Sequence, residues 1–225
     1  MTQPLLAQSL LAKRLFDISA SALGLLVLSP LLALLALWVK CDSAGPVFFR
    51  QERVGLRGKP FRIYKFRSMR VDNAGLQITV GEDSRITRSG RFIRAYKLDE
   101  LPQLLNVLTG DMSIVGPRPE VPRYVALYPA AVREEVLSVR PGVTDLASVQ
   151  YRSESSLLAA SSDPEHTYIH TVLPAKLALC QQYVRTRSLW LDIKILWLTI
   201  KKVLVREGIS AAGEATMGKF TGSKS

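Results

Sequence analysis

The sequence is poor in the residues that build metal centres and covalent frameworks. It has two cysteines and two histidines in 225 residues. Cys41 and Cys180 show no ligand spacing and fit a reducing compartment as buried free thiols, although a count of two leaves one disulfide open. His166 and His170, four apart, could share a helix face, but no third ligand accompanies them, so a surface or core pair is the simpler reading. No G-x-S-x-G elbow, zinc spacing, phosphate-cradling glycine loop or internal repeat is present, which sets aside the enzyme classes built on those devices. Acidic residues are also scarce. Nineteen against 30 Lys and Arg leave a formal charge of +11. That excess points to an anionic partner: nucleic acid, anionic lipid or a phosphorylated small molecule.

What is abundant is apolar surface, 48% of residues, enough for one domain plus an appendage. No charge interrupts Ile18 to Val39. As a helix this run is about 33 Å long, enough to cross a bilayer core. A signal peptide fits poorly, because the run is long and no small-residue cleavage site follows it. Pro30 near its middle removes a backbone hydrogen bond, and Ser29 can supply a side-chain bond to the freed backbone. Both flanks are basic, with Lys13 and Arg14 before and Lys40, Arg50 and Arg53 after, so charge favours neither orientation of a span. A helix that breaks at Ser29-Pro30 and returns to the same face resolves the tie; composition alone leaves a kinked span open.

Residues 44–70 read as a β-containing piece, 71–84 as a loop, and Leu101 to Leu108 as a short helix ending near Gly110. Residues 121–139 and 164–184 read as helical, the latter interrupted at Pro174. In Ser188 to Arg206, Asp192, Thr199, Lys202 and Arg206 share one face, and Trp190, Ile193, Trp197, Ile200 and Leu204 the other. That pattern suits a helix lying in a membrane interface, with the core helix of a soluble domain as its rival. The tail from Gly208 reads as irregular.

Three motifs could carry chemistry. A basic residue recurs at every third position from Arg85 to Lys97 and leads into Asp99-Glu100-Leu101-Pro102. Pro102 suits a first helical turn, and Asp99 suits an N-terminal cap. A cap explains one carboxylate; it does not explain two beside a cluster of arginines. A carboxylate among cations can attack or ligate around a phosphate without prohibitive repulsion. In "IVGPRPE", Pro117 and Pro119 stiffen the chain around Arg118 and suit it to bidentate phosphate capture. "VRPGVTD" presents Arg140 on a similar turn; for both arginines a plain exposed turn is the alternative.

Taken together, "KRLFDISASALGLLVLSPLLALLALWVK", "GPVFFRQERVG", "FRIYKFRSM", "KLDELPQLLNVLTGDMSIVGPRP" and "RPGVTD" resemble the bacterial sugar transferases, the monotopic phosphoglycosyl transferases. The likeness runs in order from about Lys13 to Phe220 and is nearest the small single-domain members. The tail is similar to the branch that initiates bacterial protein N-glycosylation. The resemblance implies transfer of a sugar-1-phosphate from a UDP-sugar to polyprenyl phosphate at the cytoplasmic face of the bacterial inner membrane, with Mg²⁺ as cofactor and membrane lipid as surroundings. It implies no nucleic acid partner, and it leaves a homodimer open. Asp99 and Glu100 fall on the catalytic dyad, with Asp99 also a metal ligand. Lys65, Arg94, Arg118 and, at the Arg-Pro-Gly turn, Arg140 fall among the phosphate-contacting basic positions. Ser29 and Pro30 fall on the re-entrant break. Where the family commonly has Thr-Gly-Trp-Ala-Gln, this chain has Thr144-Asp145-Leu146-Ala147-Ser148, which puts the nucleotide or sugar contacts of that loop in question. An amino sugar is the expectation from the tail alone.

The fold expected is α+β and membrane-associated: a re-entrant kinked helix over 1–40, a small catalytic domain over 41–207 with short strands and an interfacial helix at 188–206, and a tail over 208–225. The rival class is a basic membrane-anchored binding or scaffold protein without catalysis, which would leave the Asp-Glu pair without purpose.

Overall fold

The computed structural model describes residues 3–70, 85–150, 158 and 160–204. The loop expected at 71–84, the tail from 208, Arg206, and the side chains of Lys202 and Leu204 lie outside the described residues. The fold is α+β, with many helices around two small two-stranded sheets.

Helix α1 (Gln3–Asp42) dominates the N-terminal part. From Leu10 to Asp42 it is long and apolar enough to cross a bilayer. It is arranged inside out. Asp17 and Ser21 are buried, and Lys13 and Arg14 reach the protein, while Leu11, Leu15, Leu23 and Leu26 are exposed, the last at 73%. A water-facing surface of this kind is unfavourable; against lipid it is the expected face. Pro30 lacks the N–H that would reach the Leu26 carbonyl, and the Ser29 hydroxyl donates to that same carbonyl at 2.8 Å. The helix nonetheless runs unbroken through Ser29-Pro30, so the break expected there is a proline site within one helix, locally repaired, and not a gap between two.

Both ends of α1 are fixed to the same body. Near the start, Lys13 donates to Asp192 at 2.6 Å, Arg14 to the carbonyls of Val107 and Leu108, and the Ile114 amide donates to Asp17. At the far end, Arg67 donates to the carbonyls of Val39 and Ser43. Asp42 accepts from the amide and hydroxyl of Ser89, in the first turn of α2 (Arg88–Ala95), where a carboxylate meets the positive helix end.

After α1 the chain forms an antiparallel hairpin of β1 (Phe48–Val54) and β2 (Pro60–Phe66), with Phe49 opposite Lys65. Side chains alternate along β2, so Lys65 shares the inward face with Phe61 and Ile63. A 3-10 turn (Leu98–Gln103) follows α2 and feeds α3 (Leu104–Thr109). Strand β3 (Ser113–Val115) then pairs in parallel with β4 (Gly142–Thr144), which α6 (Leu146–Gln150) follows. Between them lie α4 (Pro122–Val125) and α5 (Ala130–Val136), the two pieces into which the helix expected over 121–139 divides. The sheet explains two glycines: a Cβ on Gly142 would lie 2.1 Å from the Gly116 amide nitrogen, and one on Gly116 2.5 Å from the Arg140 carbonyl. The two turn motifs pack backbone against backbone.

Helix α7 (Pro164–Thr167), a π turn over Tyr168–Val172 and α8 (Leu173–Thr186) complete the region read as interrupted at Pro174; that proline sits in the first turn of α8, and the π turn before it absorbs the irregularity. In α9 (Leu189–Leu204), Trp190 is 76% exposed, and Ile193, Trp197 and Ile200 are also outside. The polar face is not turned to solvent as an interfacial helix in water would have it. Asp192 is buried, and Thr199 meets Thr144 hydroxyl to hydroxyl at 2.7 Å. Both cysteines are free; Cys180 is buried, but Cys41, expected buried, is exposed at the end of α1.

Candidate active site

The site forms where β2, the 3-10 turn and the Gly116–Pro119 turn converge. Lys97 adopts a left-handed conformation (φ 57°), which turns the chain sharply from α2 into Leu98-Asp99-Glu100. A non-glycine residue held there stores strain of about 1 kcal/mol or more. Asn106 docks the next helix: its side-chain oxygen accepts from the Tyr64 amide at 2.8 Å, and its nitrogen donates to the Arg62 carbonyl at 2.9 Å. The amide thus stands in for a neighbouring strand on β2. With Tyr64 tied in this way, Lys65 is brought to the dyad.

Asp99 is 2% exposed, and its Oδ2 lies 2.8 Å from the Lys65 ammonium. Its other oxygen, Oδ1, is buried without a hydrogen-bond partner among the described residues. An orphaned carboxylate oxygen in a protein interior is uncommon and marks either strain or a place for something that binds. Glu100 is engaged at both oxygens. Arg118 donates Nη1 to Oε2 at 3.1 Å and Nη2 to Oε1 at 2.5 Å, and Lys65 lies 3.3 Å from Oε1. Burial alone would raise the Glu100 carboxyl, but Arg118, Lys65 and Lys97 outweigh it and hold it well below the usual carboxylate range. Arg118 is held correspondingly firmly as a cation by Glu100, against burial, with Asp145 and Glu120 adding to the effect. A carboxylate so held is a poor proton acceptor.

The structure therefore brings together Asp99, Glu100, Lys65 and Arg118. It places the other two basic candidates differently. Arg94 lies in the last turn of α2, its carbonyl accepting from the Lys97 amide, and its side chain makes no hydrogen bond or ion pair among the described residues. Arg140 donates Nε to the Gly110 carbonyl at 2.9 Å, just past the end of α3, where Arg14 also holds the Val107 and Leu108 carbonyls. In this position Arg140 closes a helix C-terminus. Asn106 went unread from sequence, and the structure adds the left-handed turn at Lys97 and the place of Asp145, whose Oδ2 faces the Arg118 amide at 3.4 Å. Asn106 had a visible signal, an amide inside the apolar run Leu-Leu-Asn-Val-Leu.

Among the described residues no group of three or more His, Cys, Asp or Glu side chains could enclose a metal ion. The two carboxylates present, one with an open buried oxygen, still fit magnesium, which commonly takes one or two protein carboxylates and completes its octahedron with water and substrate phosphate.

A family model described as bacterial sugar transferase matches residues 8–206. The chain is 40% identical over 216 residues to the uncharacterized sugar transferase EpsL of Bacillus subtilis (strain 168), which covers 95% of this chain and 98% of the relative. It is 44% identical over 208 residues to an undecaprenyl-phosphate glucose phosphotransferase of Komagataeibacter xylinus, covering 89% of this chain and 37% of that one. It is 40% identical over 210 residues to a UDP-glucose:undecaprenyl-phosphate glucose-1-phosphate transferase of Escherichia coli (strain K12), covering 91% and 42%. The chain thus spans about two-fifths of the length of these last two and nearly all of the Bacillus protein. On the match over residues 8–206, the chain belongs to the bacterial sugar transferase family.

Proposed function

We propose that this protein transfers a sugar-1-phosphate from a UDP-sugar to undecaprenyl phosphate, through a covalent phosphosugar on Asp99. The observation that carries the reading is the buried Asp99 oxygen without a partner, beside Lys65 and within reach of the cluster that Arg118 and Glu100 complete. The names of the Escherichia coli and Komagataeibacter relatives support the substrate class. A non-catalytic binding module would have no use for a carboxylate buried at such expense of solvation.

Asp99 Oδ1 attacks the β-phosphorus of the UDP-sugar. The new bond joins Asp99 to phosphorus, and the bond to the bridging oxygen breaks, releasing UMP with that oxygen. A phosphate oxygen of undecaprenyl phosphate then attacks the same phosphorus. The Asp99–phosphorus bond breaks, and the polyprenyl diphosphate sugar leaves. Lys65 orients Asp99 through its 2.8 Å contact. Glu100 anchors Arg118 and Lys65, so two cations stand fixed where phosphate charge gathers. Magnesium, when bound, would be held by Asp99 with the substrate's diphosphate and would supply charge neutralisation.

The membrane placement we infer rests on α1. Lys13 and Asp42 are both fixed to one globular body while the leucines between them face outward, which supports both ends of α1 lying at a single face over a full span. The outward tryptophans of α9 extend the same lipid-facing surface. We place the globular part on the cytoplasmic side, where UDP-sugars are made.

The test is UMP release by the purified full-length protein, with undecaprenyl phosphate and Mg²⁺, across a panel that includes UDP-glucose, UDP-galactose and their N-acetylamino counterparts. Release with at least one sugar, dependent on the lipid phosphate for turnover, supports the reading. No release with any member contradicts it.

A further inference from the structure

The loop after β4 carries an aspartate, Asp145, and the structure gives that carboxylate a position to fill. Asp145 is 4% exposed. Its Oδ1 accepts from the Ser148 amide at 2.7 Å, capping the start of α6. Its Oδ2 faces the backbone amide of Arg118 at 3.4 Å, a long contact in the line of the main-chain ladder. That ladder runs Ser113 N–H to Pro141 carbonyl, Gly142 N–H to Pro117 carbonyl, and Gly116 N–H to Thr144 carbonyl. It then fails for chemical reasons: Pro117 has no N–H, and the other chain turns into α6 after Thr144. The next donor is the Arg118 amide, and the next acceptor is a side chain, Asp145. Arg118 is therefore held twice, at its guanidinium by Glu100 and at its backbone by Asp145.

We propose that Asp145 is a positioning residue that sets the place of Arg118 for the phosphates of the nucleotide sugar. The proposal rests on the transferase reading above. The Asp145 charge acts in the same direction as its hydrogen bond, since it adds to the field that keeps Arg118 cationic beside Glu100. Beside the Arg118 backbone lies Cys180, whose thiol is pushed up to about 12 by burial.

Two jobs of Asp145, capping α6 and holding Arg118, are separable. Asp145→Ser keeps a capping oxygen for the Ser148 amide on a side chain too short to hold the Arg118 amide as well. In the full-length protein in nanodiscs, with a UDP-sugar found active, Asp145→Ser is expected to raise KM for that sugar about tenfold, with kcat changed less than about threefold and the melting temperature close to wild type. Asp145→Asn offers one accepting oxygen to two amide donors and sets an NH2 against the other, so with the Ser148 amide still capped it is expected to share the KM defect of Asp145→Ser. In an Arg118→Lys background, Asp145→Ser then shifts KM by less than about twofold, because the group it acts through has been replaced. An unchanged KM in Asp145→Ser, or the same KM shift in both backgrounds, overturns the proposal even though the enzyme is active. Failure of wild type to release UMP from any sugar overturns the transferase reading, and this inference falls with it.

Discussion

Arg118 grips Glu100 through both terminal nitrogens, at 3.1 and 2.5 Å. Under the proposed function an incoming phosphate would share that guanidinium with the carboxylate already seated on it, and Glu100 would set where the charge stands.

This pair has a pH signature. Burial opposes ionisation of Glu100, and Arg118, Lys65 and Lys97 overcome it, so the folded value lies well below the ordinary 4.5. The stabilisation is fully present above the unfolded value and is lost as pH falls through the lower folded one. Wild type should therefore lose melting temperature progressively below about pH 4.5, and Glu100→Gln should lose it less steeply. A titration series of melting curves checks this, and equal slopes would contradict it.

Lys13 and Asp192 join α1 and α9, 2.6 Å apart. Asp192, 1% exposed, also accepts from the Tyr183 hydroxyl at 2.8 Å. Replacing Lys13 with Met strands a buried carboxylate and is expected to cost about 3 kcal/mol. The exposed Arg185–Glu135 pair, also 2.6 Å apart, should change stability little when cut, because solvent screens it. Denaturant midpoints in the same detergent compare the two, and a Lys13→Met effect no larger than that of Arg185→Met would show that the pair does not fasten α1.

The single-face reading of α1 makes a topological prediction. A tag placed before Gln3 and the exposed native Cys41 should both be shielded from impermeant reagents in intact cells, and both should react in inverted vesicles. Labelling of one end from outside would instead make α1 a span. Pro30→Leu combined with Ser29→Leu restores a donor for the Leu26 carbonyl and is expected to move a fraction of the molecules toward that spanning form.

The residues that were legible in sequence share a property: their role is written in neighbouring positions. Asp99-Glu100 before Pro102, and Arg118 between two prolines, announce themselves locally, and Ser29-Pro30 foretold its own side-chain repair. Arg140 shows the limit of such reading, since an arginine before Pro-Gly looks the same whether it meets a phosphate or, as here, the Gly110 carbonyl. In α9 the periodicity separated two faces, and the structure turns Trp190, Ile193, Trp197 and Ile200 outward and Asp192 inward, which is not the arrangement of the rival core helix. Lys13 with Asp192, and Asn106 with β2, are contacts over long sequence separations and leave no short-range trace beyond a polar residue in an apolar run.

The central claim is that Asp99 forms the covalent bond. Incubating full-length protein with an active UDP-sugar, without undecaprenyl phosphate, quenching and mapping peptides by mass spectrometry tests it directly. The account predicts a hexose-phosphate or N-acetylhexosamine-phosphate adduct on Asp99, absent from Asp99→Asn. Robust turnover with no adduct, or an adduct mapped to another residue, would contradict it.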